Sequence, residues 1–110
     1  MELQARVYSV LIVSASEKFQ NDLRSLLPES AYSPIVTVSR IGAAERTKNA
    51  RDFDFIFVNS PLPDDAGIRF AIDCCRTGGT VVVLFAAAAL YEQIQSRVEK
   101  HGVFVLPRPV

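Results

Sequence analysis

Two alternating periodicities constrain the fold of this chain more than any other feature. Short apolar, β-branched runs recur at 7–14 (VYSVLIVS), 34–38 (PIVTV), 53–58 (FDFIFV), 80–85 (TVVVLF) and 103–106 (VFVL). Between them lie stripes at helical spacing: Phe19, Leu23, Leu26 and Leu27; then Ile68, Ala71, Ile72 and Cys75; then Leu90, Ile94 and Val98. A weaker helix is read at 40–50, with Ser39 as its N-cap, and the small-residue run 86–90 reads as the start of the fourth helix. Ser14 precedes Glu17 at capping-box spacing, and Pro28 closes the first helix. The glycines at 78 and 79 and at 102 end helices. Five strands alternating with four helices predict a single α/β domain over residues 1–110, built as a doubly wound parallel sheet.

Composition narrows the function classes. Twelve basic residues balance twelve acidic ones, which argues against a large nucleic-acid footprint on this domain. No apolar run approaches the roughly 20 residues that span a bilayer, and the N-terminus lacks a secretory apolar segment, so a cytoplasmic protein that binds no membrane is expected. Cys74 and Cys75 are adjacent and without metal or redox spacing; they read as small apolar residues on a buried helix face.

In a doubly wound sheet, functional groups lie beyond the carboxyl ends of the strands. Here those ends carry Ser14, Ala15 and Ser16, then Ser39, Asn59 and Ser60, Phe85 and Ala86, and Pro107 and Arg108. Asn59 holds the central place, and an amide is neither acid, base nor nucleophile. Its simplest use is an Asx-turn before Pro61. Arg108, between two prolines, reads as a solvated side chain, with bidentate grip of an anion as the alternative. Lone His101 sits where its charge favours a helix C-terminus. An enzyme on this scaffold is disfavoured, because no glycine-rich loop follows the first strand and the pocket lacks an acid, base or nucleophile.

These residues resemble a response-regulator receiver domain over nearly the whole chain. In "NSPLPDDAG", Asn59 stands at the place of the phosphorylated Asp, Leu62 and Pro63 match the apolar–Pro pair, and Gly67 matches the following glycine. Ser14 and Ala15 stand where the family carries its magnesium-holding acids, Phe85 or Ala86 where it carries a hydroxyl switch residue, and Arg108 before Pro109 where it carries Lys-Pro. The resemblance implies a flavodoxin-like sheet of order 2-1-3-4-5. It also implies a degenerate, pseudo-receiver site with no metal, no cofactor and no catalytic residue. Magnesium wants hard anionic oxygens, and a lost carboxylate–Mg²⁺ attraction costs several kcal/mol even at an effective dielectric of about 20. Glu17, Asp64 and Asp65 are the acids nearest in sequence, and as loop and helix residues they are expected to stay solvated.

The "VLPRPV" stretch is further similar to the N-terminal domains of ANTAR-type transcription antiterminators, which carry an RNA-binding output domain. The receiver resemblance implies a closing fifth helix that these residues do not reach, so a fragment of a longer protein is expected, or alternatively a second copy that packs over the bare face. The uncovered sheet face would then be apolar and pair with a second copy. Two functions follow as expectations: a non-phosphorylated signalling and dimerisation module attached to an output domain, or a sensor of a nucleotide or other anion near Ser14, Ser16 and Arg108.

Overall fold

The computed structural model describes residues 6–59, 67–76 and 78–108. Five parallel strands, β1 (Tyr8–Val13), β2 (Tyr32–Val38), β3 (Phe55–Asn59), β4 (Val81–Ala87) and β5 (Phe104–Arg108), lie in the order β2-β1-β3-β4-β5. Helices α1 (Glu17–Ser25), α2 (Ile41–Ala50), α3 (Gly67–Arg76) and α4 (Tyr91–Val98) connect them. The predicted α/β class and strand order are those observed.

Period-two side-chain alternation divides the core into two layers. Leu11 and Val13 of β1, Ile56 and Val58 of β3, and Val82 and Leu84 of β4 face one way. They pack with Ile41 and Ala44 of α2, Phe70, Ala71 and Cys74 of α3, and Ile94 and Val98 of α4. Their neighbours Val10, Ile12 and Phe85 face the other way, where among the described helices α1 packs, through Leu23 and Phe19, with Leu27 just beyond its end. Strands buried on both faces read as continuous apolar runs, which is why 53–58 does not alternate.

The second layer is open over β4 and β5. Register puts Phe104 beside Val83 and Leu106 beside Phe85. Phe104 is 62% exposed, Leu106 44% and Val81 40%, while Phe55, Phe57 and Val83 are half-buried. Leu26 is 66% exposed. It was expected in the buried stripe of α1, but the helix ends at Ser25 and Leu26 caps it.

Several local expectations shift. Ser16, not Ser14, caps α1: its Oγ accepts from the Phe19 N–H at 3.1 Å. The N-cap of α2 is Arg40 rather than Ser39, and no side chain caps that end. Ala86 and Ala87 belong to β4, a 3-10 turn fills Ala88–Leu90, and α4 begins only at Tyr91. Ladder bonds to β5 hold the alanines extended despite their helix propensity. His101 lies in a second 3-10 turn (Glu99–His101), which Gly102 closes at φ 89°, a conformation favourable only to glycine. Burial pushes the Cys74 thiol up to about 11, so it behaves as a core residue and not as a nucleophile.

Candidate functional site

The carboxyl ends of β1, β3 and β5 meet in one chain of hydrogen bonds. Asn59 is the last residue of β3 and only 4% exposed. Beside it, Ser14 follows β1 directly and is fully buried; its N–H still bonds the Val38 carbonyl of β2 at 2.9 Å. Asn59 Nδ2 donates to Ser14 Oγ at 3.0 Å, and Arg108 Nη1 donates to Asn59 Oδ1 at 2.9 Å. The arginine can only donate, so the amide oxygen must face it and the NH₂ must face the serine.

The serine is held from behind. Its Oγ also accepts from the Ser16 N–H at 3.0 Å, and its carbonyl accepts from Gln20 Nε2 at 2.6 Å. The turn from β1 into α1 is thus tied to β3 through one hydroxyl. Arg108 reaches Asn59 across the end of β4, two strands away in the sheet order. Ala87 is its register partner, and Ala87 and Ala88 offer only methyl groups in the way.

Arg108 is therefore not the solvated side chain expected from its prolines. It is half-buried, bonded to Asn59, and its Nε is buried without a hydrogen-bond partner. The Asx-turn expected for Asn59 falls on residues outside those described, as do Ser60, Asp64 and Asp65; within the described residues both ends of the amide serve Ser14 and Arg108.

The remaining positions are dispersed. Ala15 is exposed in the bend before α1. Phe85 is buried against Phe19, ring centroids 5.0 Å apart and edge to face, while Ala86 points into the opposite layer. Glu17 opens α1 at an exposed position. Among the described residues no three His, Cys, Asp or Glu side chains gather to hold a metal ion.

Sequence reading missed Gln20, Ala87 and Ala88. The last two were hidden by the misplaced end of β4; once the strand is carried to Ala87, its pairing with Arg108 follows from the ladder. A cavity of about 630 Å³ opens beside the site, between α1 and the end of β4, with Asn59 and Arg108 in its wall.

No family model and no curated protein matches the chain. Solved structures do. A signal receiver domain of an HD domain-containing protein from Pseudomonas fluorescens superposes with a TM-score of 0.81 at 17% identity, covering 99% of this chain and 81% of that one. A two-component response regulator from Clostridium difficile gives 0.79 at 18%, covering 94% and 84%. A CheY-like receiver domain from Methylobacillus flagellatus gives 0.79 at 18%, covering 94% and 88%. The chain has the flavodoxin-like fold of receiver domains.

Proposed function

We propose that this chain is a receiver-like signalling domain that works without taking a phosphoryl group. It acts by contact with a second copy and controls an attached output domain. The observation that carries the reading is the Arg108–Asn59–Ser14 chain. At the place where a phosphoryl acceptor needs a carboxylate nucleophile, an amide spends its oxygen on an arginine and its NH₂ on a buried serine. Among the described residues this centre holds one cation and no anion, which disfavours a divalent metal, and its amide is no phosphoryl acceptor. The resemblance to antiterminator N-terminal domains makes RNA binding the output we expect, carried by another part of the protein.

The contact surface is the open side of the sheet. Phe104, Leu106 and Val81 are exposed there beside half-buried Phe55, Phe57 and Val83. Parallel sheets are ordinarily covered on both faces, and an apolar patch of this composition favours association.

Treatment with acetyl phosphate and magnesium, followed by intact mass, tests the first claim: the mass is expected to stay unchanged, and gain of one phosphoryl group overturns it. Light scattering tests the second. A dimer is expected, reduced to monomer by Phe104→Glu with Leu106→Glu; a soluble wild-type monomer that binds no hydrophobic dye removes the contact surface.

A further inference from the structure

The cavity beside Asn59 has the build of a ligand site. Its volume, about 630 Å³, falls in the range of about 300–1,000 Å³ typical of small-molecule pockets. One wall is apolar: Phe19, Leu23 and Leu26 of the α1 side, and Ala87 and Ala88 of the β4 end. Phe19 is fixed there by its edge-to-face contact with Phe85. The opposite corner is cationic. Arg108 uses Nη1 on Asn59, a neutral partner, and its Nε has none.

Two other charged groups line the cavity, Lys18 and Asp22, and they bond each other at 2.7 Å on the exposed face of α1. They cancel, so among the described residues Arg108 supplies the net charge of the lining. A guanidinium that meets only a neutral partner among the described residues, beside an apolar wall, suits an anion with an apolar body. Inorganic phosphate or a bare nucleotide phosphate would leave the Phe19–Leu23–Leu26 wall unfilled.

We propose that this cavity binds a small amphipathic organic anion, a monocarboxylate with an aromatic or aliphatic body. The carboxylate would meet Arg108 and the body would lie against Phe19 and Ala88. The ligand would supply the input that the proposed domain does not take as a phosphoryl group. To that extent the inference rests on the preceding reading, although the binding test does not depend on it.

Calorimetry on the chain with phenylacetate, octanoate, phenylacetamide and inorganic phosphate tests it. The two carboxylates are expected to bind, and the neutral amide to bind about tenfold or more weakly, the loss of one charge-assisted hydrogen bond. Arg108→Gln is expected to abolish that preference. Ala88→Trp, at an exposed position away from the Asn59 bonds, is expected to block all binding by filling the cavity while leaving the thermal midpoint near wild type. Equal binding of acid and amide overturns the cationic assignment. Phosphate binding as tightly as phenylacetate overturns the apolar one. No binding by any probe overturns the site, and leaves the mass result with acetyl phosphate to judge the signalling reading separately.

Discussion

β1 and β3 run side by side, and each end of the pair sets one serine against one Asp or Asn. At the amino end Ser9 meets Asp54; at the carboxyl end Ser14 meets Asn59. Both pairs are 45 residues apart in sequence. At the amino end a carboxylate accepts from the Ser9 N–H at 3.0 Å and from its hydroxyl at 3.3 Å, and Asp54 returns its own N–H to Ser9 Oγ at 3.0 Å. Arg6 stands off at 3.9 Å and the Asp54 side chain is 35% exposed, so water shares the charge. At the carboxyl end the partner is an amide, buried, with a guanidinium directly on it. Burial alone does not explain that choice, because a carboxylate there would find Arg108 ready to pair. Among the described residues this end keeps the cation and holds no anion. One end is a strand clip; the other is a positively charged centre beside a cavity.

The sharpest way to break this contrast is to remove Asn59. Asn59→Leu leaves half-buried Arg108 Nη1 without its acceptor and fully buried Ser14 Oγ with the Ser16 N–H as its remaining donor. A loss of about 2–3 kcal/mol is expected, read as a lower urea midpoint at unchanged slope. Asp54→Ala removes an acceptor that water can partly replace, and about 1 kcal/mol is expected. A larger loss at Asp54 than at Asn59 would reverse the ranking of the two ends. Ser16→Ala sharpens the origin of the carboxyl-end rigidity. It removes the cap of α1 but not the Ser16 N–H that bonds Ser14, so the cost is expected to stay near about 1 kcal/mol, that of an N-cap alone.

Much of this was legible in the sequence. The strands announced themselves because burial on both faces demands continuous β-branched and aromatic runs, and the stripes of α3 and α4 followed the helical period. What the residues could not disclose was set by tertiary pairing. Ala86 and Ala87 have the propensity of a helix and the hydrogen bonds of a strand. Ser14 has the spacing of a cap, but its hydroxyl is claimed by Asn59 from another strand. Arg108 looked solvated because its partner lies 49 residues away. The Ser9–Asp54 clip carried no motif at all, and only the β1–β3 register would have exposed it as the counterpart of Ser14–Asn59.

Asn59→Asp makes the smallest change and the most telling one, because it places at the carboxyl end the charge that the amino end already has. Arg108 would accept the carboxylate as a partner, and the Ser14 hydroxyl, now pointing weakly at the Ser16 carbonyl at 3.4 Å, would turn to donate to it. Near pH 7 the stability is expected to stay within about 1 kcal/mol of wild type, with the ion pair offset by desolvation. The arginine would hold the folded-state pKa of that carboxyl below its unfolded value of about 3.9. The pair's contribution would therefore be present above that value and lost as pH falls through the folded pKa. Acid unfolding should thus steepen relative to wild type while neutral stability barely moves. With acetyl phosphate and magnesium this variant is still expected to gain no phosphoryl group, since Ser14 and Ala15 supply no anionic ligands and the carboxylate is occupied by Arg108. A phosphoryl mass gain in Asn59→Asp would mean that the acceptor was the one missing part, and that the rest of the centre, Arg108 included, is competent for transfer.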